Sequence, residues 1–140
     1  CQGNICRSPF AKFVALAQDP ELPVASFGLA TSTGAAANTM AMDVAGDFGF
    51  DMQGHRATDI TDFTICDGDL LIVMEDRHVT WLQRHLDNQD IQVCLLGLWC
   101  RPQFALLYDP INQSRDYFAS CFDRIDRATR KLVQDSEGLK

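Results

Sequence analysis

The sequence predicts an α/β fold in one domain, and three observations carry that prediction. Residues Asp69–Met74 and Ile91–Leu96 are near-continuous apolar runs, the pattern of strands buried on both faces of a parallel sheet. Segments of helical periodicity stand between and around them, and strands alternating with helices make layered α/β folds. No linker, repeat or low-complexity tract divides the 140 residues, a length ordinary for a single domain.

Each element follows from its punctuation. Ser8-Pro9 opens a helix, with Ser8 as N-cap and proline at the first helical position. Phe10, Phe13, Val14 and Ala17 recur at helical spacing, and Asp19-Pro20 ends the run. Val24–Gly28 reads as a short strand. Ala37–Phe48 reads as a helix with Met40, Ala41, Val44, Ala45 and Phe48 on one face, stopped by Gly49. After the Asp69–Met74 strand comes a helix with Val79, Leu82 and Leu86 inward and with His78 and His85 solvated. Residues 97–113 form a long loop, a feature that is often functional in compact domains. From Ser114 to about Gln134 a last helix carries the stripe Phe118, Cys121, Phe122, Ile125, Ala128 and Leu132. Glu137 and Lys140 belong to a fraying tail.

Composition narrows the function classes. The net charge of −7 disfavours nucleic-acid binding, which wants a basic face. No segment approaches the roughly 20 apolar residues of a membrane span, so no membrane insertion is expected. The six cysteines include no CxxC pair and no His/Cys cluster at zinc spacing. Cys66, Cys94 and Cys121 lie in or beside apolar runs and read as small hydrophobes. A reducing, cytoplasmic setting without metal or cofactor is the expectation.

The chemistry concentrates at the start, in Cys1-Gln2-Gly3-Asn4-Ile5-Cys6-Arg7-Ser8-Pro9. Five residues between a cysteine and an arginine suffice to curl around a tetrahedral anion with several N–H groups inward. Gly3 and Asn4 are residue types that tolerate the positive φ such a curl needs. The loop feeds a helix N-terminus, whose dipole favours both a bound phosphate and the thiolate of Cys1. Arg7 offers a planar fork for two phosphoryl oxygens, and the Ser8 hydroxyl can hydrogen-bond the sulfur. These donors act at contact distance, where the overall negative charge is screened. Thiolate attack on phosphorus expels an alkoxide or phenoxide and so requires a general acid. Asp109, in the long loop and held from helix by Pro110, is the candidate. The same carboxylate then activates water against the phosphocysteine.

These residues resemble the active-site loop of the low-molecular-weight protein tyrosine phosphatases, and the likeness runs along nearly the whole chain. Ser26-Phe27-Gly28-Leu29, Gly54-His55-Arg56-Ala57, Leu71-Ile72-Val73-Met74-Glu75 and Asp109-Pro110 followed by Ser114-Arg115-Asp116-Tyr117-Phe118 resemble family segments. Leu96-Gly97-Leu98-Trp99 and Met74-Glu75-Asp76-Arg77-His78 resemble the bacterial branch, whose members often work beside tyrosine autokinases of capsule or exopolysaccharide export. The resemblance implies a three-layer sandwich on a small, four-stranded parallel sheet. It implies Cys1 as nucleophile, Arg7 as clamp, Asp109 as acid, and Gln2, Gly3, Asn4, Ile5, Cys6, Arg7 and Ser8 as the phosphate cradle. Asn4 would fix the loop by a strained backbone, His55 would hold that asparagine, and Glu75 would orient Arg7. Cys6 matches a second loop cysteine that in some members forms a reversible disulfide with the nucleophile. By residue type alone, His55 equally reads as a surface histidine, Cys6 as a packed thiol and Glu75 as a solvated strand end. The substrate implied is a phosphotyrosine protein, with a tyrosine autokinase as a partner.

Two departures stand out. Family members often carry tyrosine directly after the Asp-Pro, where this chain has Ile111 and Asn112; the aromatic wall would then be missing or supplied elsewhere, by Tyr108, Trp99 or Phe104. In the family an apolar strand inside the sheet leads into the nucleophile, whereas this sequence begins at Cys1. The expectation is a domain spanning residues 1–140 and truncated at its N-terminus, with activity expected of the complete domain. Alternative readings are an arsenate reductase on the same scaffold, using Cys94 and Cys100, and a non-catalytic phosphotyrosine-binding module.

Overall fold

The structure is a computed structural model and describes residues 1–86, 91–104 and 106–137; Lys140 lies outside them. Strand β1 (Leu70–Val73) and strand β2 (Gln92–Leu95) pair in parallel, Leu70 opposite Gln92 and Val73 opposite Leu95. Parallel neighbours need a crossover, and the helix Asp76–His85 supplies it. In chain order the helices are α1 (Arg7–Gln18), α2 (Thr39–Asp47), α3 (Asp76–His85) and α4 (Arg115–Glu137). Short 3-10 turns occupy Ile60–Asp62 and Leu96–Trp99.

The strand alternation creates three layers. Leu71 and Val73 point into a cluster with Leu29, Ile65 and Leu82, packed under α3. Ile72 points the other way, against the larger core built by α1, α2 and α4. Aromatic packing centres that core: Phe10 stacks on Phe122 with ring centroids 4.2 Å apart and meets Phe48 and Phe50 edge-on. Phe118, Phe122, Ile125 and Ala128 are all buried, as the last helix's stripe predicted.

Local chemistry sets the helix ends. Asn38 caps α2, its side chain accepting from the Ala41 amide at 3.0 Å. Gly49 follows at φ +87°, a conformation that favours glycine. The Ser114 hydroxyl accepts from the Tyr117 amide at the start of α4. Ser8 departs from the expectation: α1 starts at Arg7 behind Cys6, with no side-chain cap. The Ser8 hydroxyl is instead drawn to Cys1 and Asn4.

Three further expectations change. Val24–Gly28 is not a strand, because a strand needs a ladder and only Gly28 finds a partner, a single parallel bridge to Asp59. A cavity of about 400 Å³ is lined by Val24–Phe27 and by Leu70–Met74, which do not pair with each other. Cys66 is exposed rather than packed. His78 is buried, at 1% exposure, because it sits in the first turn of α3 against Glu75 while Arg77 takes the solvent side.

The Leu96–Trp99 turn docks the long loop. The Phe104 amide donates to the Gly97 carbonyl at 2.9 Å, and a methyl group on Gly97 would overlap the Phe104 carbonyl. Gly97→Ala is therefore expected to destabilise the fold by about 1–3 kcal/mol, measurable as a lowered urea midpoint.

Candidate active site

The loop from Cys1 to Ser8 is held by its carbonyls. Those of Cys1 and Gln2 accept from the amides of Leu29 and Ala30 at 3.1 and 3.0 Å. Those of Ile5 and Cys6 accept from Asn38 and Phe10 at 2.8 and 3.3 Å. The Asn4 carbonyl accepts from His55 Nε2 at 2.7 Å. Among the described residues, no acceptor takes up the backbone N–H of residues 2–8. With the oxygens turned toward the protein, the amides remain as a cluster of donors, the arrangement that binds anions.

Asn4 makes this possible. It adopts φ 53° and is fully buried. Its side chain donates to the Ser8 and Ser26 hydroxyls, each at 2.9 Å, and accepts from the Thr58 amide at 2.9 Å. Asparagine tolerates the left-handed region better than most residues, and here every polar atom of its side chain is used. Gly3, the other residue singled out for positive φ, does not adopt it; Asn4 alone makes the turn. His55 is placed as the resemblance implied. A carbonyl can only accept, so its Nε2 carries the proton. Burial holds the ring below its ordinary pKa, against the pull of the Asn4 carbonyl.

Cys1 Sγ lies 2.9 Å from the Ser8 hydroxyl. Ser8 sits in the first turn of α1, so a hydroxyl donor and a helix N-terminus both stabilise a thiolate there. Cys6 differs. Burial, then the neighbouring Cys121 and Asp109, push its thiol far up, with Arg7 opposing. That disfavours the thiolate that disulfide exchange requires.

Arg7 is 1% exposed. Its Nη1 donates to the Leu107 carbonyl at 2.7 Å and lies 3.3 Å from Glu75 Oε1. Nη2 lies 3.6 Å from Asp109 Oδ2, and Nε is buried without a partner. Nη1 is thus anchored, and the edge that carries the unpartnered Nε is left as a fork for two oxygens. Glu75 is buried as well and takes Arg77 on its second oxygen. Burial alone would raise its carboxyl, but the hydrogen bond from Arg77 and the charges of Arg7 and Arg77 outweigh that and hold it low.

Asp109 is set by the turn it starts. Its Oδ1 accepts from the Ile111 amide at 3.1 Å, leaving Oδ2 toward Arg7. Asn112 takes φ 66° in the same turn, and Ile111 packs against the core. Of the three aromatic candidates, Trp99 packs on the core and Phe104 lies under Arg124, its ring centroid 4.3 Å from the guanidinium carbon. Tyr108 is 58% exposed beside the acid. Cys94 and Cys100 are both pushed up by burial and lie on β2 and behind the Leu96–Trp99 turn. They offer little to an arsenate relay.

Several supports carried no signal of their own. The Leu107 carbonyl and Thr58 amide are main-chain groups that any residue provides. Gly28 stood in a quoted segment, but its reason is spatial: a Cβ there would lie 2.8 Å from the Gln2 carbonyl oxygen and 3.0 Å from the Gly3 carbonyl carbon.

Comparison with known proteins agrees with this arrangement. A family model described as "Low molecular weight phosphotyrosine protein phosphatase" matches residues 1–139. The chain is 35% identical over 133 residues to the probable low molecular weight protein-tyrosine-phosphatase AmsI of Erwinia amylovora, covering 95% of this chain and 91% of that protein. It is 34% identical over 134 residues to Wzb of Escherichia coli K12, covering 96% and 90%. The crystal structure of the tyrosine phosphatase Wzb from Escherichia coli K30 in complex with sulphate superposes with a TM-score of 0.85 at 26% identity, covering 97% of this chain and 94% of that one.

Two outcomes follow from the packing and the charges. Gly28→Ala forces a methyl onto the backbone of the Cys1–Ser8 loop; it should cost about 1–3 kcal/mol and, if the loop's free amides hold an anion, weaken inorganic phosphate binding by calorimetry. The second concerns pH. Burial, and then Arg7, lower His78 from 6.5 to about 4, with Glu75 opposing and Arg77 adding a little. Below pH 6.5 the unfolded chain gains a proton that the folded chain refuses until about pH 4. Stability should be complete above that window and fall progressively through it, as read by urea melts at stepped pH.

Proposed function

The chain belongs to the low molecular weight phosphotyrosine protein phosphatase family, and on that premise we propose that it hydrolyses phosphotyrosine monoesters through a phosphocysteine. The observation that carries this reading is the loop's polarity, with carbonyls bound outward and amides unclaimed, together with a buried Arg7 whose Nε has no partner.

The roles follow from position. The amides of residues 2–8 and the Arg7 fork hold the phosphoryl oxygens, and they hold them more tightly as charge spreads onto those oxygens in the transition state. Cys1 thiolate attacks phosphorus and the P–O bond to the tyrosine breaks. Asp109 gives its proton to the departing phenolate. Its carboxylate then takes a proton from water, which attacks the phosphocysteine; the S–P bond breaks and phosphate leaves. Ser8 stabilises the sulfur as nucleophile and again as leaving group. Tyr108, exposed next to Asp109, is the aromatic side chain best placed to meet a phenyl ring.

The natural substrate is a phosphotyrosine protein. Kinship with proteins named low molecular weight protein-tyrosine-phosphatase supports that substrate class, and the resemblance to the bacterial branch implies a tyrosine autokinase in that role. Six free cysteines fit a reducing cytoplasm.

The test is phosphate release from a phosphotyrosyl peptide at mildly acidic pH. Cys1→Ser should abolish turnover, and Asp109→Asn should slow it by about 10²–10⁴ while a phosphocysteine accumulates in quenched mass spectra. Turnover that survives Cys1→Ser would overturn the assignment. Release of arsenite from arsenate, with no phosphatase activity, would favour the reductase.

A further inference from the structure

His78 lies outside every role assigned above, and its surroundings are unusual for a core residue. It is 1% exposed in the first turn of α3. Neither ring nitrogen has a hydrogen-bond partner among the described residues. Burying a polar group without a partner is costly, and a leucine would fill the position more cheaply. The one polar group its ring approaches is Glu75, with Nε2 3.4 Å from Oε2. Glu75 in turn stands 3.3 Å from Arg7 Nη1 through its other oxygen.

The carboxylate therefore sits between two inner neighbours, Arg7 and His78, and one outer neighbour, Arg77. The outer one is held weakly in place: the Arg77 side chain is 60% exposed, and exposed ion pairs contribute little. The imidazole is buried at the wall of the cavity of about 400 Å³ described above, and with Nε2 3.4 Å from Oε2 it limits how far Glu75 can rotate. A carboxylate that rotates shifts the guanidinium it holds, and small misplacements of a clamp are expensive in rate.

We propose that His78 is a positioning residue for the phosphate clamp, fixing the Glu75 carboxylate so that Arg7 presents its Nε–Nη2 edge to the phosphoryl group. This rests on the phosphatase reading of the site, which assigns Arg7 the phosphate. The charged groups around His78 are Glu75 and Arg77 at the start of α3 and Arg7 from α1.

The experiment compares His78→Leu, His78→Gln, Glu75→Gln and the double variant His78→Leu/Glu75→Gln. Each is measured for kcat/KM on a phosphotyrosyl peptide, for inorganic phosphate affinity by calorimetry, and for urea stability. His78→Leu should remain folded, since it removes unpartnered buried nitrogens. It should nonetheless lose about ten- to a hundredfold in kcat/KM and bind phosphate more weakly. His78→Gln, which keeps a donor near Glu75, should recover part of both. In the Glu75→Gln background the His78 change should add almost nothing, because the link is already cut. A His78→Leu protein with parent kcat/KM and phosphate affinity would overturn the proposal, as would losses that add fully in the double variant. Should His78→Leu not fold, the same cycle with His78→Gln decides: a loss confined to stability overturns the role. A parent chain that neither turns over peptide nor binds phosphate refutes the phosphatase reading, and the His78 role with it. An active parent with an indifferent His78 refutes only the latter.

Discussion

A buried guanidinium is the constraint around which the site is organised. Taking an arginine out of water costs several kcal/mol unless its charge is met. Arg7 is met by a carboxylate from the end of β1 and a carbonyl from the long loop. Those two partners come from segments about seventy and one hundred residues away in the chain. One side chain thus fastens the phosphate loop, the sheet and the acid-bearing loop to one another. The loop cannot be assembled unless the rest of the fold is.

The second constraint is a single backbone turn. Asn4 in the left-handed region turns the chain so that the carbonyls of Cys1, Gln2, Asn4 and Ile5 find partners in Leu29, Ala30, His55 and Asn38. Its side chain meanwhile ties Ser8 to Ser26 and reaches the Thr58 amide. A local strain is offset by a hydrogen-bond set drawn from four places in the sequence. A net charge of −7 does not prevent an anion site in such a setting, because oriented amides and a fixed guanidinium act at contact distance while distant charges are screened.

Much of this was legible in the residues, and what was not has physical reasons. The two strands, the crossover helix and the stripe of α4 followed from apolar runs and periodicity, because burial on two faces or on one stripe leaves that pattern. Cys1, Arg7 and Asp109 were singled out from chemistry and spacing, and the structure brings Arg7 and Asp109 within 3.6 Å. Val24–Gly28 looked like a strand because apolar composition does not reveal whether a ladder partner exists. Ser8 looked like a cap because residue type does not say which of two hydroxyl partners will win. His78 looked solvated because one imidazole seven residues from another carries no sign of which faces inward. Leu107 and Thr58 serve through main-chain atoms, on which the sequence is silent.

The loop's outward carbonyls have an evolutionary corollary. On the proposed function, Arg7 apart, recognition of the anion is delegated to N–H groups that every residue other than proline possesses. The side chains of Gln2 and Ile5 are half-buried and owe nothing to the binding of phosphate itself. Those two positions can drift, and so retune which molecule carries the phosphate to the cradle, while the cradle's grip on it is inherited unchanged.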